Sequence, residues 1–566
     1  MKPKILRTPL LAVTSVAALA LALLTAPAHA TNQAPDAVVA WGDNDVLQSG
    51  QDRPTWQDFN GATQVCVGGN CGSSNPFTKA KTVAAGEYHS LAMTTDGTVW
   101  AWGYNANGRL GIGTTGGNEL PRHVCAPGSS SGCTDLTGAK GIAAGYSHSM
   151  AILQDGSVAT WGWNGWGKLG TGDEVEKNRP QVMCRSTRGA ACAGGAKAVA
   201  GGYAHSLALL ENGTVLSWGS NVEGQLGIGT PGGVYRTPQR VVLPHPGKAK
   251  AIAAGAYHSI AILEDGSVVT WGHNGQGQIG NGKMEGVNYW SPQSVALHAK
   301  AKSVAAGVRF SMALTEDGAV HTWGQNNFGQ LGIGSYQNTG TPTRVCSTDG
   351  CGGAGTMENV RTIAAGHYHA LAASTDGLVS SWGLNDRSQL GIGSSGGTQN
   401  HPRVTQILGG DNLLGITSLS GGLYHSLAAR GTTSVYLIQP SGDDSLALET
   451  GTTGTHLAKK TDSAAQRWEL TDLGGGKYRI TNPETGKCLT AGAGGGGIFA
   501  VGVRDCGDSR GQVWELDPTK PGAIRSTDPY SCLDASGGVH VSAEVIAYHE
   551  CHGQANQSWT LTKAGA

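Results

Sequence analysis

Residues 141–162 read GIAAGYSHSMAILQDGSVATWG, and variants of this stretch recur along the first three quarters of the chain. An apolar segment comes first, an alternating segment follows His148, and a third segment after an Asp-Gly pair ends in Trp-Gly. Asp-Gly between alternating apolar runs is typical of a two-residue β-hairpin turn. The stretch therefore predicts three antiparallel strands, and the segment from Pro180 to Met183 predicts a fourth.

The repeat has two markers that count its copies. At the end of the third segment, Trp-Gly recurs seven times, 52 to 61 residues apart, at Trp41, Trp102, Trp161, Trp218, Trp271, Trp323 and Trp382. A Gly-x-x-His step precedes it at His89, His148, His205, His258 and His369, and Phe310 takes the histidine position before Trp323. A sixth Gly-x-x-His step ends at His425. Four antiparallel strands per unit make a propeller blade. The sequence therefore predicts an all-β protein that contains a seven-bladed β-propeller.

One blade is predicted to be shared between the two ends of the repeat region. Residues 37–41 match the third strand of a unit, and no first or second strand precedes them. The missing strands match residues 416–429, which no Trp-Gly follows. Pairing these segments would close the ring and remove two open sheet edges.

These motifs resemble the regulator of chromosome condensation repeat family. The resemblance rests on Gly202-Tyr-Ala-His205-Ser-Leu-Ala-Leu209, on Asn212-Gly-Thr-Val215 and on the Trp-Gly-Ser-Asn-Val-Glu-Gly-Gln-Leu-Gly run of residues 218–227, and it covers residues 37–430. It implies a seven-bladed propeller but no single activity. Members include exchange factors for a nuclear GTPase, ubiquitin-ligase accessories and a secreted bacterial β-lactamase inhibitor.

The first thirty residues have the pattern of a secretory signal peptide. A basic start with Lys2, Lys4 and Arg7 precedes an apolar run and an Ala28-His-Ala30 site. A membrane anchor is the alternative, but the run is short for a span. Without this leader the chain has 36 Lys and Arg against 40 Asp and Glu. We therefore expect a secreted protein with no membrane span and no nucleic-acid partner.

The twelve cysteines fall into six pairs whose members are close in sequence. An even count in a secreted chain without Cys-x-x-Cys predicts disulfides, and zinc is the weaker alternative. The predicted bridges are Cys66–Cys71, Cys125–Cys133, Cys184–Cys192, Cys346–Cys351, Cys488–Cys506 and Cys532–Cys551.

Beyond residue 434 a different motif, Gln-x-Trp, occurs three times and ends at Trp468, Trp514 and Trp559. This pattern resembles the ricin B-type lectin family and implies a β-trefoil over residues 434–566. The family's sugar site is retained in the third unit alone. The resemblance assigns carbohydrate binding to Asp534, to Tyr548 or His549 as the aromatic platform, and to Asn556 and Gln557. A turn carboxylate is the alternative reading of Asp534.

A rim of side chains near the repeat histidines is the candidate binding site of the propeller. Tyrosine and arginine are typical of binding hot spots, and ordinary packing under the turn is the alternative. The rim residues are Tyr88, Tyr146, Tyr203, Tyr257, Arg309, Tyr368 and Tyr424. The repeat histidines are expected to be buried hydrogen-bonding groups, because ring symmetry keeps them too far apart to share one ion.

These observations predict three parts: a signal peptide (1–30), a propeller (31–430) and a trefoil (434–566). The predicted function is a secreted, non-catalytic binding protein. Its trefoil would bind a galactose- or xylose-type glycan, and its propeller would present a face to a protein or glycan. A polysaccharide-degrading enzyme and a secreted enzyme inhibitor are the alternatives. We expect a monomer with no catalytic residues, no cofactor and no metal.

Overall fold

The computed structural model describes the chain from residue 37 to residue 563, with gaps. The gaps are 53–57, 69–76, 130–131, 185–194, 245–246, 348–350, 352–354, 375–378, 394–400, 407–415, 431–433, 452–453, 462, 475–476, 483–484, 486, 496–497, 505, 507–509, 517–521, 528–529, 537–538, 540–542, 549–550 and 552–553. The predicted signal peptide lies outside the described residues. Within them, no helix has the length and apolar character needed to cross a bilayer.

Seven four-stranded antiparallel sheets form the ring, which confirms the predicted propeller. In every blade the first strand lines the central channel and the fourth lies outermost. Blade 1 contains β27 (Ile416–Gly421), β28 (His425–Arg430), β1 (Val38–Gly42) and β2 (Phe59–Gln64). Blades 2 to 4 contain β3 (Ala80–Ala85), β4 (His89–Thr94), β5 (Val99–Tyr104) and β6 (Asn118–His123); β7 (Gly141–Ala144), β8 (His148–Ile152), β9 (Val158–Gly162) and β10 (Lys177–Cys184); β11 (Ala196–Gly201), β12 (His205–Leu210), β13 (Val215–Ser220) and β14 (Val234–Arg240).

Blades 5 to 7 complete the ring with the same order of strands. They contain β15 (Ala249–Ala254), β16 (His258–Leu263), β17 (Val268–Gly272) and β18 (Tyr289–Val295); β19 (Ala301–Ala306), β20 (Phe310–Thr315), β21 (Val320–Gly324) and β22 (Thr339–Arg344); β23 (Val360–Ala365), β24 (His369–Ser374), β25 (Val379–Gly383) and β26 (His401–Gln406).

Blade 1 is assembled from both ends of the repeat region, as the sequence predicted. Strand β1 pairs antiparallel with β28, from Val38 opposite Ala429 to Gly42 opposite His425. Every residue of β1 is buried. The ring is therefore closed by hydrogen bonds between segments almost 400 residues apart.

The Trp-Gly marker has a local physical cause. Gly103 has φ +100°, and a Cβ at this position would lie 2.6 Å from the carbonyl oxygen of Tyr88, so only glycine fits. The preceding Trp102 is fully buried, and its Nε1 donates to the carbonyl of Gln48 in the previous blade. The same interblade bond is made by Trp218, Trp271, Trp323 and Trp382.

The C-terminal region forms one ten-stranded sheet and a two-stranded ribbon. The ribbon is β30 (Leu446–Thr450) with β31 (Thr455–Lys459). The sheet contains β29 (Ser434–Pro440), β32 (Arg467–Gly474), β33 (Lys477–Asn482), β34 (Lys487–Gly495), β35 (Ile498–Arg504), β36 (Val513–Leu516), β37 (Ile524–Thr527), β38 (Tyr530–Ala535), β39 (Val545–Tyr548) and β40 (Trp559–Lys563).

One interaction occurs three times in this C-terminal region. The indole Nε1 atoms of Trp468, Trp514 and Trp559 each donate at 2.9 Å to a leucine carbonyl, that of Leu448, Leu489 and Leu533 respectively. The three indoles belong to one hydrophobic cluster. Short 3₁₀ turns precede them at Ala464–Gln466, Arg510–Gln512 and Ala555–Gln557, and two further 3₁₀ turns in the ring are Ala106–Gly108 and Gly165–Gly167.

Candidate functional site

The repeat histidines form a hydrogen-bonded girdle that joins neighbouring blades. The Nε2 of His258 lies 2.8 Å from the Oγ of Ser311 in the next blade, and that hydroxyl donates to the carbonyl of Gln278. Because the serine has one proton, which the carbonyl takes, the imidazole must donate from Nε2. The same His–Ser contact links His89 to Ser149, His148 to Ser206, His205 to Ser259, His369 to Ser426 and His425 to Ser90.

Burial keeps these histidines neutral. The rings of all six are fully buried. Desolvation is the largest cause that lowers the pKa of His205, His258, His369 and His425 to about 3, and it lowers the pKa of His89 and His148 well below the usual value. The histidines hold blades together and do not form a metal or catalytic site in this geometry.

The repeat gives the two ends of the ring different character. One end, which we call the loop face, carries the Gly-x-x-His turns and the loops between the third and fourth strands of each blade. The other end, the hairpin face, carries the Asp-Gly turns and the connections between blades. In the loops of the loop face, a repeated asparagine accepts from the backbone: the Oδ1 of Asn221, for example, accepts from the N–H of Leu226 at 3.1 Å.

The loop face collects the positions at which the repeats differ from one another. Six large apolar side chains in the described chain are exposed there: Tyr104, Val175, Val222, Met284, Val287 and Tyr336. Trp163 and Trp166 lie on it with ring centroids 5.0 Å apart. The loop face therefore carries exposed apolar and aromatic side chains, whereas the repeated apolar residues of the strands are buried.

The seven rim residues lie on the loop face, but they occupy two different positions of the turn. Tyr146 and Tyr203 directly follow the turn glycine, and both line the central channel. The other five, which directly precede the histidine or Phe310, are Tyr88, Tyr257, Arg309, Tyr368 and Tyr424. All seven are half-buried. The sequence prediction treated these two positions as one, and only the register of the turn separates them.

Three aromatic side chains contact one another at the loop-face end of the channel. The ring of Tyr146 in blade 3 stacks on the imidazole of His367 in blade 7, with centroids 4.7 Å apart and planes 13° apart. Tyr203 packs edge-on against Tyr146 at 4.6 Å. Beneath them lies a cavity of about 140 Å³, whose wall is mostly alanine and glycine of the first strands, such as Ala254 and Gly307. Such a wall offers few side-chain groups for chemistry.

A buried charged group lies beside the channel mouth in blades 2 and 3. The Lys168 Nζ donates to the Ser147 hydroxyl at 3.0 Å and to the Tyr203 carbonyl at 2.9 Å, and it lies 3.9 Å from the Trp163 ring centroid. Burial, with repulsion from Arg109, lowers the pKa of this ammonium well below its usual value.

Glu87 is the carboxylate that neighbours these cations. One of its oxygens lies 3.9 Å from the Arg109 guanidinium. Burial raises the pKa of Glu87 to about 7, although Arg109 and a hydrogen bond from Tyr146 oppose the increase. The sequence prediction missed Glu87, Arg109, Lys168 and His367. Alignment of the repeats within this one chain would have found them, because each departs from the other copies.

An acidic group lies on the loop face of blade 1. Carboxylate oxygens of Asp43, Asp45 and Asp58 lie within 4.8 Å of one another, and Arg387 donates to Asp45 at 3.3 Å. Burial raises the pKa of Asp43 to about 6. This is the one group of described side chains whose ligand atoms are spaced for a metal ion.

The structure brings together three of the five predicted sugar-site residues. The Asp534 carboxylate accepts from Asn556 at 2.9 Å and from Gln557 at 2.8 Å, and Asp534 is 5 % exposed. Tyr548 lies in the paired strand β39, half-buried, and His549 lies outside the described residues. Similar amide contacts occur in the other two units, from Gln466 to Glu449 and from Gln512 to Thr490. The Asp534 carboxylate therefore has hydrogen-bond partners within the protein itself.

The cysteines pair within units wherever both partners are described. The structure joins Cys125 to Cys133, Cys346 to Cys351, Cys488 to Cys506 and Cys532 to Cys551. Cys66 is disulfide-bonded, but Cys71 lies outside the described residues, as does Cys192, the predicted partner of Cys184. The two bridges described in the ring lie on the hairpin face, between the fourth strand of one blade and the first strand of the next.

Comparison with known proteins supports the ring and bears on its function. The RCC1-like domain profile matches residues 188–543. Profiles of the regulator of chromosome condensation repeat match residues 96–152 and 155–209, and 80–109 and 139–167. The chain is 30% identical over 393 residues to the ultraviolet-B receptor UVR8 of Arabidopsis thaliana, covering 67% of this chain and 80% of the receptor. It is 31% identical to human E3 ubiquitin-protein ligase HERC2 over 61% of this chain, but spans only 7% of the length of HERC2.

Solved structures show the same fold at lower identity. Human WBSCR16 has a TM-score of 0.59 at 21% identity and covers 69% of this chain and 99% of its own. Prp20p from Saccharomyces cerevisiae has a TM-score of 0.55 at 22% identity and covers 71% of this chain and 92% of its own. The crystal structure of Prp20p was described together with its binding to Gsp1p and histones, which are proteins.

These comparisons overturn the function predicted from the sequence. The sequence predicted a secreted carbohydrate-binding protein, with a polysaccharide-degrading enzyme and a secreted inhibitor as alternatives. The relatives are instead an ultraviolet-B receptor, a ubiquitin ligase and a protein that binds Gsp1p and histones. The prediction took carbohydrate binding from the C-terminal motifs. The chain belongs to the family of RCC1-like domain proteins, which are built from regulator of chromosome condensation repeats.

Proposed function

We propose that this protein is a protein-binding scaffold whose ring docks a partner on the loop face. The observation that carries this proposal is the position of the variable residues. Buried Trp, His and Ser of the repeat hold the blades together, while the half-buried aromatic and exposed apolar side chains gather at one end of the ring. A rigid ring with one varied, aromatic end is suited to recognise a folded surface.

The chemistry of the loop face favours a protein partner over catalysis. Trp163, Trp166 and Tyr203 form a contiguous aromatic surface, with the Trp166 and Tyr203 rings 5.7 Å apart. Arg309 lies 5.7 Å from the Tyr257 ring centroid on the neighbouring blade. Tryptophan, tyrosine and arginine dominate the energy of protein interfaces. The relatives support this reading, because Prp20p binds Gsp1p and histones and a further structure shows yeast RCC1 bound to Kap60.

Site-specific photo-cross-linking tests which face binds. A benzophenone amino acid replaces Phe328 on the loop face or Gln154 beside the Asp155 turn on the hairpin face, and the adduct formed in a cell extract is identified and produced as a pure protein. We expect adducts from position 328. Trp166→Ala and Tyr257→Ala should then weaken binding of that protein by about 30-fold each, as interface hot spots do. Glu264→Ala on the hairpin face is the matched control. Adducts from position 154 alone, or binding insensitive to both loop-face variants, would contradict the proposal.

We also infer that residues 434–563 form a β-trefoil. The threefold repetition of Gln-x-Trp, the three equivalent indole bonds and the shared hydrophobic cluster support this inference. Three similar units around one core are expected to protect the three indole N–H groups alike. Hydrogen exchange followed by NMR tests this, and fast exchange of one indole of the three would contradict it.

A further inference from the structure

The loop that follows each Trp-Gly has a position at which two blades differ from the other five. Five blades place glutamine there, at Gln48, Gln225, Gln278, Gln330 and Gln389. Blades 2 and 3 place Arg109 and Lys168. The backbone role of the position is unchanged, because the carbonyls of Arg109 and Lys168 accept from Ser149 and Ser206 as the glutamine carbonyls accept in other blades. Arg109 and Lys168 therefore differ from the five glutamines in the side chain alone, and the backbone hydrogen bond at this position is kept.

The Arg109 guanidinium is buried without a full set of partners. The residue is 5 % exposed. Its Nε donates to the Ala106 carbonyl at 3.0 Å, and the Tyr104 ring centroid lies 5.1 Å from its Cζ. Among the described residues, none accepts a hydrogen bond from its Nη1. Glu87 is the nearest carboxylate at 3.9 Å, which is too long for a hydrogen bond.

Within the described part of the chain, no neighbouring group accepts a hydrogen bond from the Nη1 of this guanidinium. Glu87 is already hydrogen-bonded to Tyr146, and it faces Lys168 as well as Arg109. Lys168 has its own acceptors in Ser147 and in the Tyr203 carbonyl. Two cationic side chains thus share one carboxylate. A buried charge with an unpaired donor is costly, so an added acceptor with negative charge would be favourable.

We propose that Arg109, with Glu87 and Tyr104 at its side, is a binding site for a carboxylate from an acidic side chain of the protein partner. This inference rests on the proposed function and names the chemistry of one contact within it. Tyr104 is 36 % exposed and Glu87 is half-buried, so the approach lies on the loop face. Because Nη1 is buried in this structure, a loop-face side chain such as the exposed Tyr104 moves aside before the incoming carboxylate accepts from it.

Two isosteric peptides test the site on the full chain. N-acetyl-Gly-Glu-Gly-amide and N-acetyl-Gly-Gln-Gly-amide are titrated by NMR against the parent protein, Arg109→Gln and Glu87→Gln. A charge-assisted hydrogen bond predicts that the parent prefers the Glu peptide by about tenfold or more. Arg109→Gln installs the residue that five blades have at this position, so the ring should fold and the preference should disappear. Glu87→Gln removes the competing carboxylate, so the preference should increase.

The preference for the Glu peptide should be lost in Arg109→Gln and should increase in Glu87→Gln, so the two variants together test the site. Equal affinity for both peptides in the parent overturns the site, and so does a preference that survives Arg109→Gln. Lys168→Gln is the control for loss of positive charge alone, because Lys168 has its acceptors within the ring. If the cross-linked partner binds the loop face and Arg109→Gln leaves its affinity unchanged, this inference fails and the proposed function stands. Cross-linking from the hairpin face alone would instead contradict the proposed function.

Discussion

Phe310 packs with Ala370 at the one blade junction where the described ring has no His–Ser hydrogen bond. Phe310 occupies the histidine position of blade 6, and Ala370 occupies the serine position of blade 7. Both members of the polar pair are thus replaced together by apolar residues, and both replacements are fully buried. The pair is a natural version of a double substitution, and it indicates that the His–Ser contact acts as a unit.

At the neighbouring junction, between blades 5 and 6, the corresponding double substitution should therefore cost less than the two single substitutions added together. Ser311→Ala leaves the Nε2 of His258 without an acceptor, and His258→Phe removes the donor to Ser311. Each single change should cost about 1–3 kcal/mol of unfolding free energy, as expected for a broken buried hydrogen bond. The double variant should recover about 1 kcal/mol or more of the summed cost. Urea unfolding of the four proteins measures this coupling, and strictly additive costs would contradict it.

Acid should destabilise the ring through the same histidines. The pKa of His205, His258, His369 and His425 is about 3 in the folded ring, against 6.5 when unfolded. The unfolded chain therefore binds more protons below pH 6.5, and stability present above pH 6.5 is lost as the pH falls towards 3. The slope is about 1.4 kcal/mol per pH unit for each histidine that stays neutral. Melting temperatures from pH 8 to pH 4 test this. The His258→Phe, Ser311→Ala protein should have a shallower slope, and an equal slope would exclude His258 as a contributor.

Glu87 should give the opposite pH dependence. Its pKa is raised from 4.5 to about 7, so the stability linked to its proton is complete below pH 4.5 and is lost as the pH rises through 7. Glu87→Gln has no such proton. The melting temperature of the variant relative to the parent should therefore increase between pH 5 and pH 8. A constant difference across this range would show that Glu87 titrates normally.

Removal of β1 should open the ring. Val38, Val39, Ala40, Trp41 and Gly42 are all buried, and they pair with β28 on one side and β2 on the other. A chain without residues 37–42 exposes two strand edges, and such edges favour aggregation. Light scattering after size-exclusion chromatography should show oligomers and a lower melting temperature. A monomer with the melting temperature of the parent would contradict the role of β1.

Asp534 should be structurally important whatever it binds. It accepts from two buried or half-buried amides, those of Asn556 and Gln557. Asp534→Ala leaves both without this acceptor and should cost about 2 kcal/mol of unfolding free energy. Asp534→Asn keeps one acceptor oxygen and should cost less. Equal stability of Asp534→Ala and the parent would contradict this assignment.

The sequence predicted the ring because its determinants are local and repeated. Trp-Gly requires a positive φ at glycine, Asp-Gly makes the hairpin, and seven copies count the blades. The split blade followed from the unmatched strands at residues 37–41 and 416–429. The His–Ser girdle did not follow, because its partners lie 53 to 60 residues apart or 335 across the closure.

The site was less predictable for geometric reasons. The stacking of Tyr146 on His367 depends on the width of the channel, which no single repeat encodes. The unpaired Nη1 of Arg109 depends on where Glu87 and Tyr146 place their polar atoms. Sequence reasoning did place the aromatic rim near one end of the channel. It could not separate the two turn positions without strand register.

The shared blade also sets an order of events at the ribosome. Strand β1 is made early, yet its partner β28 begins at residue 425. At about 5–20 residues per second, roughly 20–75 s separate the synthesis of the two segments. During that interval six blades can emerge and stack as an open arc, in which β1 pairs with β2 on one edge and has no partner on the other. Closure therefore waits until β28 has been made, and a nascent chain that stalls before residue 425 leaves the edge of β1 that pairs with β28 exposed.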